Sequence, residues 1–141
     1  MTPVTVAALA QVAWENRLDP TVIAHAREVI NGSHTYLESI LRLETACRAV
    51  CAQIDRHEPA DFALCFGAAC LAIGRRVRFG WDETQKTLLV GVEDKWPRSG
   101  ATVHDAPKPR TWTYYGDGIG HVGFKPFSDR ETTVSWVEPG T

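Results

Sequence analysis

PADFALCFGAACLAIGRRVRFGW, residues 59–81, contains the point at which the hydrophobic rhythm of this chain changes. From Pro59 to Gly74 the stretch is apolar on every side, with Asp61 its only charge. A segment of that length and alanine content reads as a helix buried on all faces, which Gly74 ends. A buried strand is the rival reading, and the length disfavours it. Small residues at Gly67, Ala68, Ala69 and Ala72 let neighbouring backbones approach closely. After Gly74 the period is two. Val77, Phe79 and Trp81 alternate with Arg76, Arg78 and Gly80, the pattern of a strand with one apolar and one basic face.

Upstream of that switch the signals are helical. Thr2 followed by Pro3 reads as a cap and first helical residue, opening a helix to about Asn16. Asp19-Pro20 repeats the device. Val22, Ile23, Ala26, Val29 and Ile30 then recur at helical spacing until Asn31-Gly32 supplies a left-handed stop. A third helix is expected from a Ser33 cap to about His57. On it Tyr36, Ile40, Leu43, Cys47, Val50 and Ile54 form a heptad seam. Glu38 with Arg42 and Glu44 with Arg48 are acid-first pairs four residues apart. The seam reads first as core, and a dimer interface through residues 36–54 is the alternative.

Downstream, Asp82 to Lys86 read as a turn and Thr87 to Glu93 as the returning strand of a hairpin. Lys95 to Arg110, with Pro97, Gly100, Pro107 and Pro109, reads as a loop. Thr111 to Tyr115, His121 to Phe124 and Thr132 to Val137 are three further strand candidates, the first two joined by the turn Gly116–Gly120. Phe79, Trp81, Val90, Val92, Val134 and Trp136 are expected on the inner face of the sheet. The expectation is one α+β domain over residues 1–141. A bundle of three or four helices (1–74) packs on an antiparallel sheet of about five strands (75–141).

Charge narrows the function. The chain holds 15 Lys and Arg against 17 Asp and Glu, which argues against binding driven by bulk positive charge. Residues 1–74 carry a net of −3 from five arginines and eight acidic residues, and the remainder carries +1. The longest uncharged apolar run, Phe62 to Ile73, is too short to span a bilayer. The N-terminus lacks the pattern of a secretory signal, and four cysteines without one suggest reduced thiols. A soluble cytoplasmic protein with no membrane partner is expected.

The chemical motifs are sparse. Cys47 and Cys51 share a helix face, whereas Cys65 and Cys70, five apart, splay around theirs. Their spacing is not that of a metal knuckle, so small buried hydrophobes are preferred over a metal or disulfide site. The run Gly116, Gly118, Gly120 does not fit G-x-G-x-x-G, and Asp117 sits where an anion would go; a hairpin turn explains it. His25, His34, His57, His104 and His121 form no metal motif. No serine lies in a nucleophile elbow. The adjacent pairs Glu93-Asp94 and Asp82-Glu83 point to opposite faces of a strand. No catalytic residue, metal or cofactor is assigned.

What remains is aromatic. Trp81, Trp96, Trp112 and Trp136, four of the five tryptophans, lie after residue 80 among arginines and lysines. Trp96 and Trp112 flank the proline-rich loop. With Arg76, Arg78, Arg98, Arg110 and Tyr114 they form the candidate interaction surface. The first functional reading is therefore a non-enzymatic protein-interaction module, of the kind seen in small bacterial or phage inhibitors and adaptors. A single-stranded nucleic-acid binder using the same surface is second. A small-molecule binder or enzyme at the helix–sheet junction, involving His104, Asp117 or His121, is third.

Overall fold

The computed structural model describes residues 1–55, 58, 60–83, 86–94, 112–116, 120–121 (backbone) and 134–140. Four helices, α1 (Pro3–Asn16), α2 (Pro20–Ile30), α3 (Tyr36–Gln53) and α4 (Asp61–Ala72), precede an antiparallel sheet. Its strands are β1 (Val77–Asp82), β2 (Thr87–Glu93) and β3 (Trp112–Gly116), with two-residue pairings β4 (Gly120–His121) and β5 (Trp136–Val137) at the edges. The spatial order is β4-β3-β2-β1-β5. The chain is α+β.

The helix starts follow local chemistry. The Thr2 hydroxyl accepts from the Thr5 N–H at 3.2 Å and the Asp19 carboxylate from the Thr21 N–H at 2.8 Å, each ahead of a proline. α3 begins later than a Ser33 cap implies. Thr35 is the cap, its hydroxyl accepting from the Glu38 N–H at 3.0 Å. The Glu38 carboxylate in turn accepts from the His34 N–H at 2.9 Å. Thr35 wins because an acid lies three residues on, whereas Ser33 has Tyr36 there. α3 also stops at Gln53, short of His57, with Asp55 turning into the left-handed region at φ 54°. α4 is shorter than Pro59 to Gly74; Gly74, at φ 83°, turns the chain while the Arg75 N–H reaches back to the Cys70 carbonyl.

α4 is the centre of the packing, touching the other three helices and β1, β2 and β3. Phe62, Ala63, Phe66, Gly67, Ala68, Ala69 and Cys70 are all buried on it. Gly67 has a specific role: a Cβ there would lie 2.5 Å from the Phe79 ring. The absent side chain is what lets β1 sit this close to the helix.

Register divides the sheet's two faces. Val77 pairs with Val92, Phe79 with Val90 and Val90 with Tyr115. These residues join Ile40, Leu43, Cys47, Phe62 and Phe66 in one buried cluster built from both halves of the sequence. Trp81 is partly buried against the same cluster, as expected. Val134 and Trp136 are not on this face. Trp136 pairs with Gly80, whose added Cβ would meet Val134 at 2.4 Å and Trp136 at 2.8 Å, so both lie on the face away from the helices. The inward residue of β5 is Val137, opposite Phe79. A strand reading of 132–137 sets the parity one residue out, because the pairing with β1, only two residues long, decides it.

The α3 seam is core in its middle: Ile40, Leu43 and Cys47 are buried, Tyr36 and Val50 half-buried, and Ile54 is 58% exposed. The central residues of the 36–54 dimer seam are thus occupied within the chain. Both helical acid–base pairs form, at 2.8 Å for Glu38–Arg42 and 2.9 Å for Glu44–Arg48.

Candidate functional site at the helix–sheet junction

The face of the sheet away from the helices carries Trp112 and Tyr114, two of the aromatic residues expected to make contacts. Arg78 projects there with its guanidinium carbon 4.5 Å from the ring centroids of both Trp112 and Trp136, and it donates to the Tyr114 hydroxyl. Tyr114 and Trp136 stack at 4.8 Å. Trp112 is 8% exposed and Tyr114 is fully covered, where an open contact surface was expected. The Arg78 guanidinium of β1 is thus covered by rings: the cation and π faces that would meet a partner meet each other. Arg76 is engaged as well, donating to the Glu138 carboxylate and lying 3.5 Å from that of Glu93. Trp96, Arg98 and Arg110 lie outside the described residues, as do the loop 95–110, His104 and Asp117. His121 is placed by its backbone alone, pairing with Tyr115.

The glycine run opens in a defined way. Gly116 ends β3, and its carbonyl accepts from Arg48 at 3.1 Å. Arg48 also donates to buried Glu44 and lies over Phe62 at 4.1 Å, tying α3, α4 and the end of β3 together. Residues 117–119 lie outside the described residues.

A different constellation assembles where the first turn of α3 meets the ends of β2 and β3. Thr35, Tyr36, Leu37 and Ile40 from the helix, Val92 and Asp94 from β2 and its exit, and Thr113 and Tyr115 from β3 enclose a cavity of about 370 Å³. Ile40, Val92 and Tyr115 are its buried, largely apolar members. Its polar members are oriented by the protein. The Thr113 hydroxyl donates to the Asp94 carboxylate at 2.7 Å. The Tyr36 hydroxyl donates to the Glu93 carbonyl and fastens α3 to the end of β2. Arg75 lies 4.2 Å from the Tyr36 ring.

Electrostatics decide what these groups can do. Burial pushes the Tyr36 phenol up to about 12, against the opposing pull of Arg75. Tyr115 is raised further, again by burial first and then by nearby acidic groups. Both phenols stay protonated at neutral pH and act as hydrogen-bonding groups rather than bases. Among the described residues the cavity therefore offers the Asp94 carboxylate, the Thr35 and Thr113 side chains and two neutral phenols beside an apolar wall.

A small-molecule site at the helix–sheet junction is the third expectation from the sequence, but on His104, Asp117 or His121, and none of the described lining residues is among them. Asp94 was visible only as half of an adjacent acidic pair, Tyr36 only as a seam residue, and Thr113 and Tyr115 only as strand residues. The Thr35-x-x-Glu38 capping box could have placed Tyr36 at the head of α3. Nothing local brings it to Glu93, 57 positions away.

The cysteines form a second cluster. Cys65 of α4 lies within hydrogen-bonding reach of Cys47 and Cys51 of α3, while Cys70 turns away and is completely buried. None of the four is in a disulfide. Among the described residues no group of three or more His, Cys, Asp or Glu is arranged to hold a metal ion. No described helix is long and apolar enough to cross a membrane.

Comparison with protein families, with curated proteins and with solved structures yields no match.

Proposed function

We propose that this protein binds a small amphiphilic ligand, with an apolar body and a cationic or hydrogen-bond-donating head, at the helix–sheet junction. The observation that carries the reading is the convergence of Asp94, Thr113, Tyr36 and Tyr115 on a partly apolar cavity of about 370 Å³. Small-molecule sites combine that kind of apolar enclosure with a few converging polar groups, and cluster where burial has displaced pKa values. Asp94, already oriented by Thr113, supplies the counter-charge. The two phenols do not ionise at neutral pH, so they offer no second negative charge and no general base. Binding without chemistry is the simpler role.

The test is a titration of labelled protein with small aromatic amines, their neutral isosteres and their carboxylate counterparts, read by amide chemical shifts. Amines should move the resonances of Ile40, Thr113 and Tyr115. Asp94→Asn should weaken their binding about tenfold or more, the scale of a lost charge-assisted hydrogen bond. Equal binding by Asp94→Asn, or no shift with any class, would refute the proposal.

A second reading, a protein-interaction module, is supported by an apolar hollow of about 770 Å³ between α2 and α3. Val29, Leu37, Leu41, Ala46 and Ala49 line it, with Glu38 and Arg42 beside them. Leu37 is 41% exposed there. On this reading the contact surface belongs to the helical half, and the partner is another protein or a second copy of this chain. Leu37→Glu should then abolish any concentration-dependent association seen by sedimentation. We further propose that residues 1–141 form one domain and act in the cytoplasm. The shared core supports the first of these and the four thiols the second. A nucleic-acid role has less support, since Arg78 already occupies faces on which bases would stack.

A further inference from the structure

The thiol cluster between α3 and α4 has features that packing alone does not require. A cavity of about 180 Å³ runs between the helices, lined by both Cys47 and Cys65. His25, an exposed residue, is also on its wall, so the cavity meets solvent. Cys65 is only half-buried. Cys47, 3% exposed, is the more deeply buried of the two thiols that line the cavity.

We propose that Cys65 is a peroxide-oxidisable thiol and that Cys47 is its resolving partner, so that a hydroperoxide entering past His25 closes a disulfide between α3 and α4. The Cys65 sulfur attacks one peroxide oxygen and the O–O bond breaks. The distal oxygen leaves as water, and Cys65 becomes a sulfenic acid. The Cys47 sulfur then attacks the Cys65 sulfur, and the displaced hydroxide takes the Cys47 proton as a second water. Two thiols lose two electrons and two protons, and one hydrogen peroxide becomes two waters.

Three observations assign the roles. Cys65 is the more exposed of the two thiols on the cavity wall, and the neighbouring Cys47 and Cys51 thiols hold it below its ordinary range, which favours the nucleophilic thiolate. Cys47 is raised by its bond to Cys65 and by burial, so it keeps its proton while Cys65 reacts. Cys51 also reaches Cys65, but it does not line the cavity into which the sulfenic oxygen must point and from which water must leave. Cys70 is completely buried, and burial raises its thiol; it is the internal control.

The experiment treats the full chain with a small excess of hydrogen peroxide, blocks remaining thiols, digests without reductant and maps the peptides. A Cys47–Cys65 linkage, reversed by dithiothreitol, is expected, with Cys70 still reduced. In Cys47→Ser, the sulfenic acid should persist and react with dimedone at Cys65 several-fold more than at Cys70. If that variant does not fold, the wild-type peptide map decides alone. A Cys51–Cys65 linkage, an intermolecular disulfide, or Cys65 no more reactive than Cys70 would overturn the proposal.

Discussion

Gly67→Ala tests the packing on which the rest of the molecule depends. In an exposed helix this exchange stabilises by about 1 kcal/mol, because alanine restricts the unfolded chain and favours the helix. At position 67 the new methyl would stand 2.5 Å from Phe79 Cζ and 2.8 Å from Cε1. The ring has to retreat by roughly an ångström to restore ordinary contact, and it is completely buried between α4 and the sheet. Overpacking of that kind costs about 1–3 kcal/mol, and a ring with no open side lies at the upper end. Net of the helix gain, Gly67→Ala should destabilise by about 1–2 kcal/mol. Urea unfolding followed by circular dichroism, with the m-value unchanged, measures it. Phe79→Leu removes the atoms in conflict, so the double variant should be less destabilised than the two singles together, by about 1–2 kcal/mol of coupling. A Gly67→Ala protein as stable as wild type, or coupling below about 0.5 kcal/mol, would show that α4 and β1 are not apposed as described.

Three further outcomes follow from particular contacts. Thr35→Ala should lose about 1 kcal/mol of unfolding free energy as α3 loses its cap. Ser33→Ala, whose hydroxyl has no hydrogen-bond partner among the described residues, should stay within about 0.5 kcal/mol; reversal of that order in urea titrations would return the cap to Ser33. Arg78→Ala should cost about 1–3 kcal/mol and shift tryptophan emission to the red, with Arg78→Lys recovering only part; unchanged emission would contradict the ring sandwich. Because the folded Tyr36 phenol titrates above its unfolded value of 10.0, its contribution is full below pH 10 and is lost as pH rises toward about 12. Unfolding titrations over that window should show stability falling, and Tyr36→Phe should flatten part of the fall; an identical slope in the variant would contradict the assignment.

Features that depend on neighbouring residues could be read directly. Thr2-Pro3 and Asp19-Pro20 each couple a side-chain acceptor to a residue with no N–H to satisfy, and α1 and α2 begin where those pairs stand. The splay of Cys65 from Cys70 follows from helical geometry alone. The face assignment of Trp136 did not follow, because alternation specifies which residues share a face but not which face is covered. Trp112, Tyr114 and Arg78 read as an exposed basic-aromatic surface, and they do lie on the face away from the helices, but packed on one another. Composition is identical whether rings and guanidinium meet a partner or one another. The junction cavity was least legible, since Asp94, Thr113 and Tyr36 are unremarkable where they stand in the chain.

The order of amino acids alone determined the switch from helix to strand at Gly74, the caps that start the first two helices and the central place of α4 in the core, although Asp61, Leu64, Cys65, Leu71 and Ala72 leave one stripe of that helix half-buried. Each is a matter of periodicity or of hydrogen bonds between residues a few positions apart. Tertiary structure alone decided which sheet face met the helices, that Arg78 packed against Trp112 and Trp136, and that Tyr36 reached Glu93 across 57 positions. Those outcomes depend on how close two packed surfaces can come, as Gly67 allows for Phe79, and distance between elements is not written in any local pattern.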